Sequence, residues 1–344
     1  MTKKLFLFAA VLFSTRFCLQ AQTNIDTLQK HKQLYESAYN EMTQMLEGKK
    51  SISFQKAVFL MENAYLNNTW TYERFNEKIS SIAIKLQQLI KERHIEQFKT
   101  SGNWAAFTYM TDSIKQNNFK PYTYDFENFL PDKDPTVGFV TKVITTNKGN
   151  CTSLPFLYKI LAEEIGASAW LALAPIHCYI KHKDEKGKWV NLEMTSGSFS
   201  RDEWIMQESG VTVEQIKTGI YMNALSQKEA IALVMKDLAS NYQFQFGVDI
   251  FDLKVCKTAL KYYPISVNLL MVKFEHYRQI LLQARKQNNK LLEEQTNKTL
   301  FTIDQKLVAL AYKEPSKEDY ENWVKENEKE RKSIPTSKQS PTYK

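Results

Sequence analysis

The chain has 344 residues, 43% of them hydrophobic and 24% charged, with a formal net charge of +8. That balance excludes an intrinsically disordered chain and allows two or three packed subdomains. The basic excess is spread along the chain without a helix-turn-helix, zinc-finger or RNP-like aromatic pattern, so it is read as solvated surface charge and no nucleic-acid partner is expected.

Lys3 and Lys4 precede an apolar run at residues 5–13, and Ala21 precedes Gln22-Thr23-Asn24, the arrangement of an export signal cleaved after Ala21. The run is too short to span a bilayer, and Arg16 interrupts its continuation. Cys18 follows Thr15-Arg16-Phe17 rather than the small residues expected before a lipidated cysteine. The mature chain is therefore expected to be exported, periplasmic or secreted, and without a transmembrane span.

Residues 22–119 read as a helical N-terminal region. Leu28, Tyr35, Ala38, Met42 and Met45 keep one helical face, residues 54–66 make a second run, and residues 72–95 a third. Gly48, Asn67-Asn68 and Ser101-Gly102 are read as breaks, with a shorter fourth helix over 104–114. The aromatic and proline-rich stretch 120–134 reads as a connector without regular structure. A short helix over 137–145 then leads to the turn Gly149-Asn150.

Cys151 follows that turn. Leu154, Leu157, Tyr158, Leu161, Ala162 and Ile165 recur at helical spacing, Pro155 suits a first helical turn, and Gly166 ends the run. A cysteine there sits at a helix N-terminus, where unpaired N–H groups and the positive end of the helix dipole favour a thiolate over a thiol. Residues 169–173 and 176–183 read as two strands, and Asp184-Glu185-Lys186-Gly187-Lys188 turns the chain into a third over 189–193.

His177 lies on the second of these strands and Glu193 on the third. They share a face of the hairpin when the connecting loop has an odd number of residues, which three residues closed by a left-handed Gly187 satisfy. The same parity sends Cys178 and His182 to the other face. Asn191 is the alternative orienting group and is read as pointing away from His177.

These residues resemble the transglutaminase-like superfamily of papain-related cysteine enzymes, and within it the bacterial branch that includes the SirB1-type proteins. The resemblance runs from about Thr123 to Ser209. It is densest in Gly-Asn-Cys-x-Ser-Leu-Pro-x-Leu-Tyr at 149–158, Ala-Pro-x-His at 174–177 and Trp-x-x-Leu-Glu-x-Thr at 189–195. It implies a Cys151 nucleophile, a His177 that moves the proton and a Glu193 that orients the imidazole, where many members carry aspartate. It also implies an oxyanion site, to which the backbone N–H of Cys151 is the natural first donor and Asn150 or Asn147 a second.

The region 211–314 reads as helical. Leu238, Ala239, Tyr242, Phe251, Cys256, Ala259 and Pro264 approximate the small-and-aromatic spacing of one tetratricopeptide-like unit, and residues 266–287 and 289–312 continue as helices. Such helices commonly present a groove to a protein or peptide. The tail 315–344 is rich in charge, serine and proline and is expected to order little beyond a helix near 320–324. Without Cys18 the chain keeps Cys151, Cys178 and Cys256; the first is read as a free nucleophile and the others as core residues. No CxxC or histidine-rich cluster calls for a metal, and no cofactor is expected.

The expectation is an α+β fold. A transglutaminase-like core over 120–210, with a nucleophile helix packed on a small antiparallel sheet, lies between the helical region 22–119 and the repeat-like region 211–314. Two function classes follow. One is a thiol hydrolase or acyltransferase acting on an amide or peptide bond through Cys151, His177 and Glu193. The other is a non-catalytic scaffold that uses the same fold and the C-terminal helices to hold a protein partner. Fusion of residues 1–24 to a reporter should carry it out of the cytoplasm, with a mature N-terminus near Gln22; a cytoplasmic reporter retaining Met1 would refute the signal.

Overall fold

The structure, a computed structural model, describes residues 26–314 together with 318, 321, 322 and 325. The export signal and most of the tail lie outside those residues. What is described is a mostly helical α+β chain, with N-terminal helices, a small antiparallel sheet in mid-chain and C-terminal helices.

Helix α1 covers residues 26–46, followed by α2 (Phe54–Tyr65), α3 (Tyr72–Glu92) and α4 (Ser101–Thr111). Tyr35, Ala38, Met42 and Met45 are buried, as their spacing predicts, whereas Leu28 is exposed. Ser53 and Thr71 cap α2 and α3 through their hydroxyls, which accept the N–H groups of Lys56 and Arg74. Ser101-Gly102, read as a break, instead opens α4. A Cβ on Gly102 would stand 2.7 Å from Cβ of Ala167, so the glycine serves close packing against the end of a later helix. The start of α4 is held from outside by Glu185, whose carboxylate accepts the N–H (2.7 Å) and hydroxyl (2.5 Å) of Thr100.

The stretch read as a plain connector contains a two-residue strand, β1 (Thr123–Tyr124), which pairs in parallel with β2 (Lys148–Gly149). Between them lies α5 (Val140–Thr146), shorter than the 137–145 expectation at its start because Pro135–Gly138 forms a 3₁₀ turn. Helix α6 (Ser153–Glu164) follows, and then the sheet, ordered β3 (Trp170–Ala174), β4 (His177–Lys183), β5 (Trp189–Glu193) and β6 (Ser198–Ser200), antiparallel throughout. The outer edge of β3 is covered: the N–H groups of Met222 and Leu225 donate to the Leu173 and Leu171 carbonyls at 2.8 Å. The sequence reading did not anticipate β6 or α7 (Asp202–Ser209), which follow one another with few apolar residues in either.

After α8 (Val213–Thr218), α9 (Gln227–Phe246) and α10 (Ile250–Tyr262) pack as one helical hairpin, and α11 (Val267–Lys286) and α12 (Lys290–Ala309) as a second. The residues of the repeat-like spacing are buried between them: Leu238, Ala239, Phe251, Cys256 and Ala259 all lie in the core. Helix α9 also packs along α2 and meets α1, where the Tyr35 and Tyr242 rings lie edge to face at 5.3 Å. Tyr35, Phe54, Phe156, Tyr179, Leu238 and Leu307 belong to one continuous apolar cluster, so helices from both ends of the chain close over the sheet unit. Among the described residues no helix is long and apolar enough to cross a membrane.

A buried carboxylate ties these layers to the segment before Cys151. Glu62 on α2 is fully buried and accepts the first N–H groups of α5, those of Val140 at 2.6 Å and Thr141 at 2.9 Å. Burial outweighs those hydrogen bonds and pushes its carboxyl up to about 7. Glu62→Ala leaves two buried donors unpaired and should lower stability by about 2 to 4 kcal/mol in denaturant unfolding. Because the folded value is raised, Glu62 contributes most below its ordinary carboxyl range. The stability of the native chain relative to Glu62→Gln should fall as pH rises from about 4.5 to 7.

Candidate active site

The turn into α6 is built by Asn150. Its Oδ1 accepts the N–H groups of Thr152 (2.9 Å) and Ser153 (3.1 Å), its own N–H donates to Oγ of Ser153 (2.9 Å), and its carbonyl accepts the N–H of Leu154 (3.1 Å). That reciprocal pattern is a helix cap in which Asn150 is the effective cap and Cys151 the first residue of the turn. Gly149 is required just before it, since a Cβ there would fall 2.7 Å from Ser153 Oγ and 2.8 Å from Val143 Cγ2. Pairing with β1 fixes the turn from the other side, through the Asp125 N–H to the Gly149 carbonyl at 2.8 Å. The cap takes up the N–H groups of Thr152 and Ser153 and leaves that of Cys151 as a first-turn donor outside it.

The histidine arrives on a tight corner. Ala174 pairs with His177, so Pro175 and Ile176 make the two-residue turn between β3 and β4, with Ile176 at φ +54°. Positive φ at a β-branched residue carries about 1 to 3 kcal/mol of strain. The carbonyl of that residue faces Cys151, whose Sγ lies 3.8 Å from the Ile176 oxygen.

Strand register then places the acid. Lys183 pairs with Trp189, and the chain closes through Asp184 and Lys188 (2.8 Å) over Glu185, Lys186 and a left-handed Gly187 at φ +79°. The odd loop puts His177 and Glu193 on one face. The register that pairs Ile180 with Leu192 sets Glu193 diagonal to His177 rather than opposite it, a separation of ~7 to 8 Å between such Cα positions. A glutamate spans that diagonal: His177 Nε2 and Glu193 Oε2 are 2.5 Å apart. The other carboxylate oxygen, Oε1, accepts both the N–H (3.0 Å) and the hydroxyl (2.8 Å) of Thr195. The motif reading included Thr195 but gave it no task, although a threonine two residues after a buried acid suits this local turn.

Nε2 is engaged by Glu193, and Cys151, whose Sγ meets the carbonyl of the residue just before His177, is an electrostatic neighbour of the same imidazole. Burial alone would push the imidazolium down, but the Glu193 carboxylate and the Cys151 sulfur outweigh it and hold His177 up at about 10. Glu193 is likewise pushed up by burial and drawn below its ordinary range by His177 and Thr195. The Tyr179 ring lies parallel to the imidazole at 6.4 Å between centroids. The other cysteines differ in kind: Cys178 and Cys256 are buried and free of a disulfide, with their thiols pushed up by burial, Cys256 to about 12.

Cys151, His177 and Glu193 are therefore brought together, and the other candidates are not. The amide nitrogen of Asn150 donates to the Phe129 carbonyl (3.3 Å) and its oxygen caps α6. Asn147 ends α5 in the left-handed region, its amide donating to the Lys120 carbonyl at 2.8 Å. Both side chains are structural in this arrangement. Asn191 lies on the same face as Glu193, two residues along the strand, and not on the opposite one. Its amide is held away from the imidazole by the Ser200 carbonyl (3.1 Å) and Asp202 (2.7 Å). His182 turns to the other face and lines a groove with Trp104 and Phe107.

None of the family models, curated proteins or solved structures compared with the chain matches it. The site is thus defined by its own geometry.

That geometry sets a measurable condition on the acid. Glu193→Asp shortens the side chain by one methylene and cannot keep both the diagonal contact and the Thr195 bonds. The His177 imidazole, followed by NMR titration, should stay protonated well above pH 8 in the native chain and titrate nearer the ordinary histidine range of about 6.5 in Glu193→Asp and Glu193→Gln. Equal titration in all three would remove Glu193 from the site.

Proposed function

We propose that the chain is an exported, transglutaminase-like cysteine enzyme that acts on an amide or peptide bond through Cys151, His177 and Glu193. The observation that carries the reading is the pairing of His177 Nε2 with a buried, doubly anchored Glu193 carboxylate, while a helix-start cysteine lies against the carbonyl of the residue just before that histidine. The C-terminal hairpins are read here as a tetratricopeptide-like unit that borders the site and receives a protein or peptide.

In this mechanism His177 already carries the proton taken from the thiol, and the Cys151 thiolate attacks the amide carbonyl, forming a C–S bond while the C=O electron pair moves to oxygen. The Cys151 N–H is the donor placed for that oxyanion. Collapse expels the amine, which His177 protonates, and leaves an acyl group on Cys151. Water or an amine, giving its proton to His177, then releases the acyl group by hydrolysis or transfer. Glu193 keeps the ring oriented and stabilises its charged form, and Thr195 keeps Glu193 in place.

An activated ester of a small acid tests the chemistry without a known substrate. Mass spectrometry should find an acyl adduct on Cys151 of the native chain and none in Cys151→Ala, whose stability should be nearly unchanged because the side chains are similar in bulk. Acylation of Glu193→Gln should be slower by about 10² to 10⁴. Its alkaline limb should move to lower pH, because loss of the carboxylate lets the raised His177 proton leave earlier. Adducts that spread over Cys178 and Cys256 as readily as Cys151 would overturn the proposal.

A further inference from the structure

One wall of the site comes from the C-terminal helices and has no part in the triad. Lys236 and Asp237 on α9 and Asn268 on α11 line a cavity of about 110 Å³ with Thr152, Ile176 and His177. That volume is far below the roughly 300 to 1,000 Å³ of pockets that enclose a whole ligand. Only a compact end-group enters; the rest of a substrate stays outside.

The wall is charged in an unusual way. Lys236 Nζ and Asp237 Oδ1 pair with each other, and both side chains are half-buried, 23% and 19% exposed. Consecutive helix positions do not ordinarily face one another, yet these two charges meet and both residues line the same cavity. A ligand bearing a single charge has to break this pair and leave one half-buried partner without a counter-charge, which offsets what the new contact contributes. A ligand bearing a carboxylate and an ammonium together exchanges partners with both, and neither charge is stranded. Asn268 adds an amide donor and acceptor beside them.

We infer that Lys236 and Asp237 form a subsite for a zwitterionic α-amino-carboxylate head, so that the preferred substrates are amides carrying a free amino-acid head close to the scissile carbonyl. Lys236 takes the carboxylate and Asp237 the ammonium. The inference rests on the thiol-enzyme reading of the same site, and it narrows the substrate class from any amide to side-chain or terminal amides of free amino-acid units.

Three electrophiles of one reactivity test it on the full chain: chloroacetamide, 3-chloroacetamidopropionate and N3-chloroacetyl-2,3-diaminopropionate, which carry no charge, one carboxylate, and a carboxylate with an ammonium. In each the Cys151 sulfur forms a C–S bond to the methylene carbon as the C–Cl bond breaks and chloride leaves. Alkylation of Cys151 by the zwitterion should saturate and exceed that by chloroacetamide by about tenfold or more, the equivalent of one added charge-assisted contact, while the anion gains nothing. In Lys236→Met and in Asp237→Asn the ratio of zwitterion to chloroacetamide should fall to about one. A ratio of one in the native chain, or a high ratio that survives both substitutions, overturns the subsite. Chloroacetamide alone reports on the enzyme reading. Fast alkylation at a rate flat between pH 6 and 8 with no zwitterion preference defeats the subsite only, whereas slow alkylation that climbs with pH defeats the thiol enzyme. The native three-probe comparison decides the question even if a variant fails to fold.

Discussion

The register of β5 on β4 is the constraint on which the site depends. Five residues, Asp184 to Lys188, join the two strands, and their odd number lets the odd-numbered positions of both share one face. A loop one residue longer or shorter would turn Glu193 to the groove that His182 lines and leave a buried carboxylate without His177. The register also fixes the kind of acid. Glu193 stands diagonal to His177, so the acid reaches the ring by length, and Thr195 removes the freedom that length would otherwise give it.

Around that hairpin, the remaining parts are held by polar groups at helix ends, Asn150 and Glu62 buried and Glu185 exposed. Asn150 caps α6 and so decides where Cys151 falls in the turn. Glu62 reaches from α2 to hold the start of α5, and Glu185, at the hairpin tip, holds the start of α4. Each carboxylate acts across the chain on a helix to which it does not belong. The helical layer and the sheet are thereby located on one another by directional contacts as well as by the apolar cluster they share.

Much of this was legible in local pattern. The runs ending at Glu92 and beginning at Phe54, Lys290 and Val267 show helical periodicity, and the strands show their boundaries within a residue or two, because both signals come from neighbours in sequence. The order Cys151, His177, Glu193 was legible as well, since hairpin parity is arithmetic on a short loop. What sequence did not show is what depends on partners far along the chain. Gly102 read as a break because its close neighbour Ala167 is 65 residues away. Asn150 and Asn147 read as oxyanion donors because their acceptors, the Phe129 and Lys120 carbonyls, belong to a stretch with no pattern of its own. Asn191 was misplaced by a parity error, since residues two apart on a strand share a face. Lys236, Asp237 and Asn268 carried no motif at all and join the site only through the docking of α9 and α11.

That docking limits how the chain may be divided. The strand order and the Cys151 turn suggest a unit ending near residue 210, yet the edge of β3 is closed by residues 222–225, α9 lies along α2, and the cavity beside His177 has α9 and α11 for its far wall. A fragment cut after the sheet would expose a strand edge and the apolar side of α2 to self-association. The C-terminal helices are thus a condition of solubility for the sheet unit. A chain emerging N-terminus first holds its cysteine and histidine in unfinished surroundings until its last helices have formed.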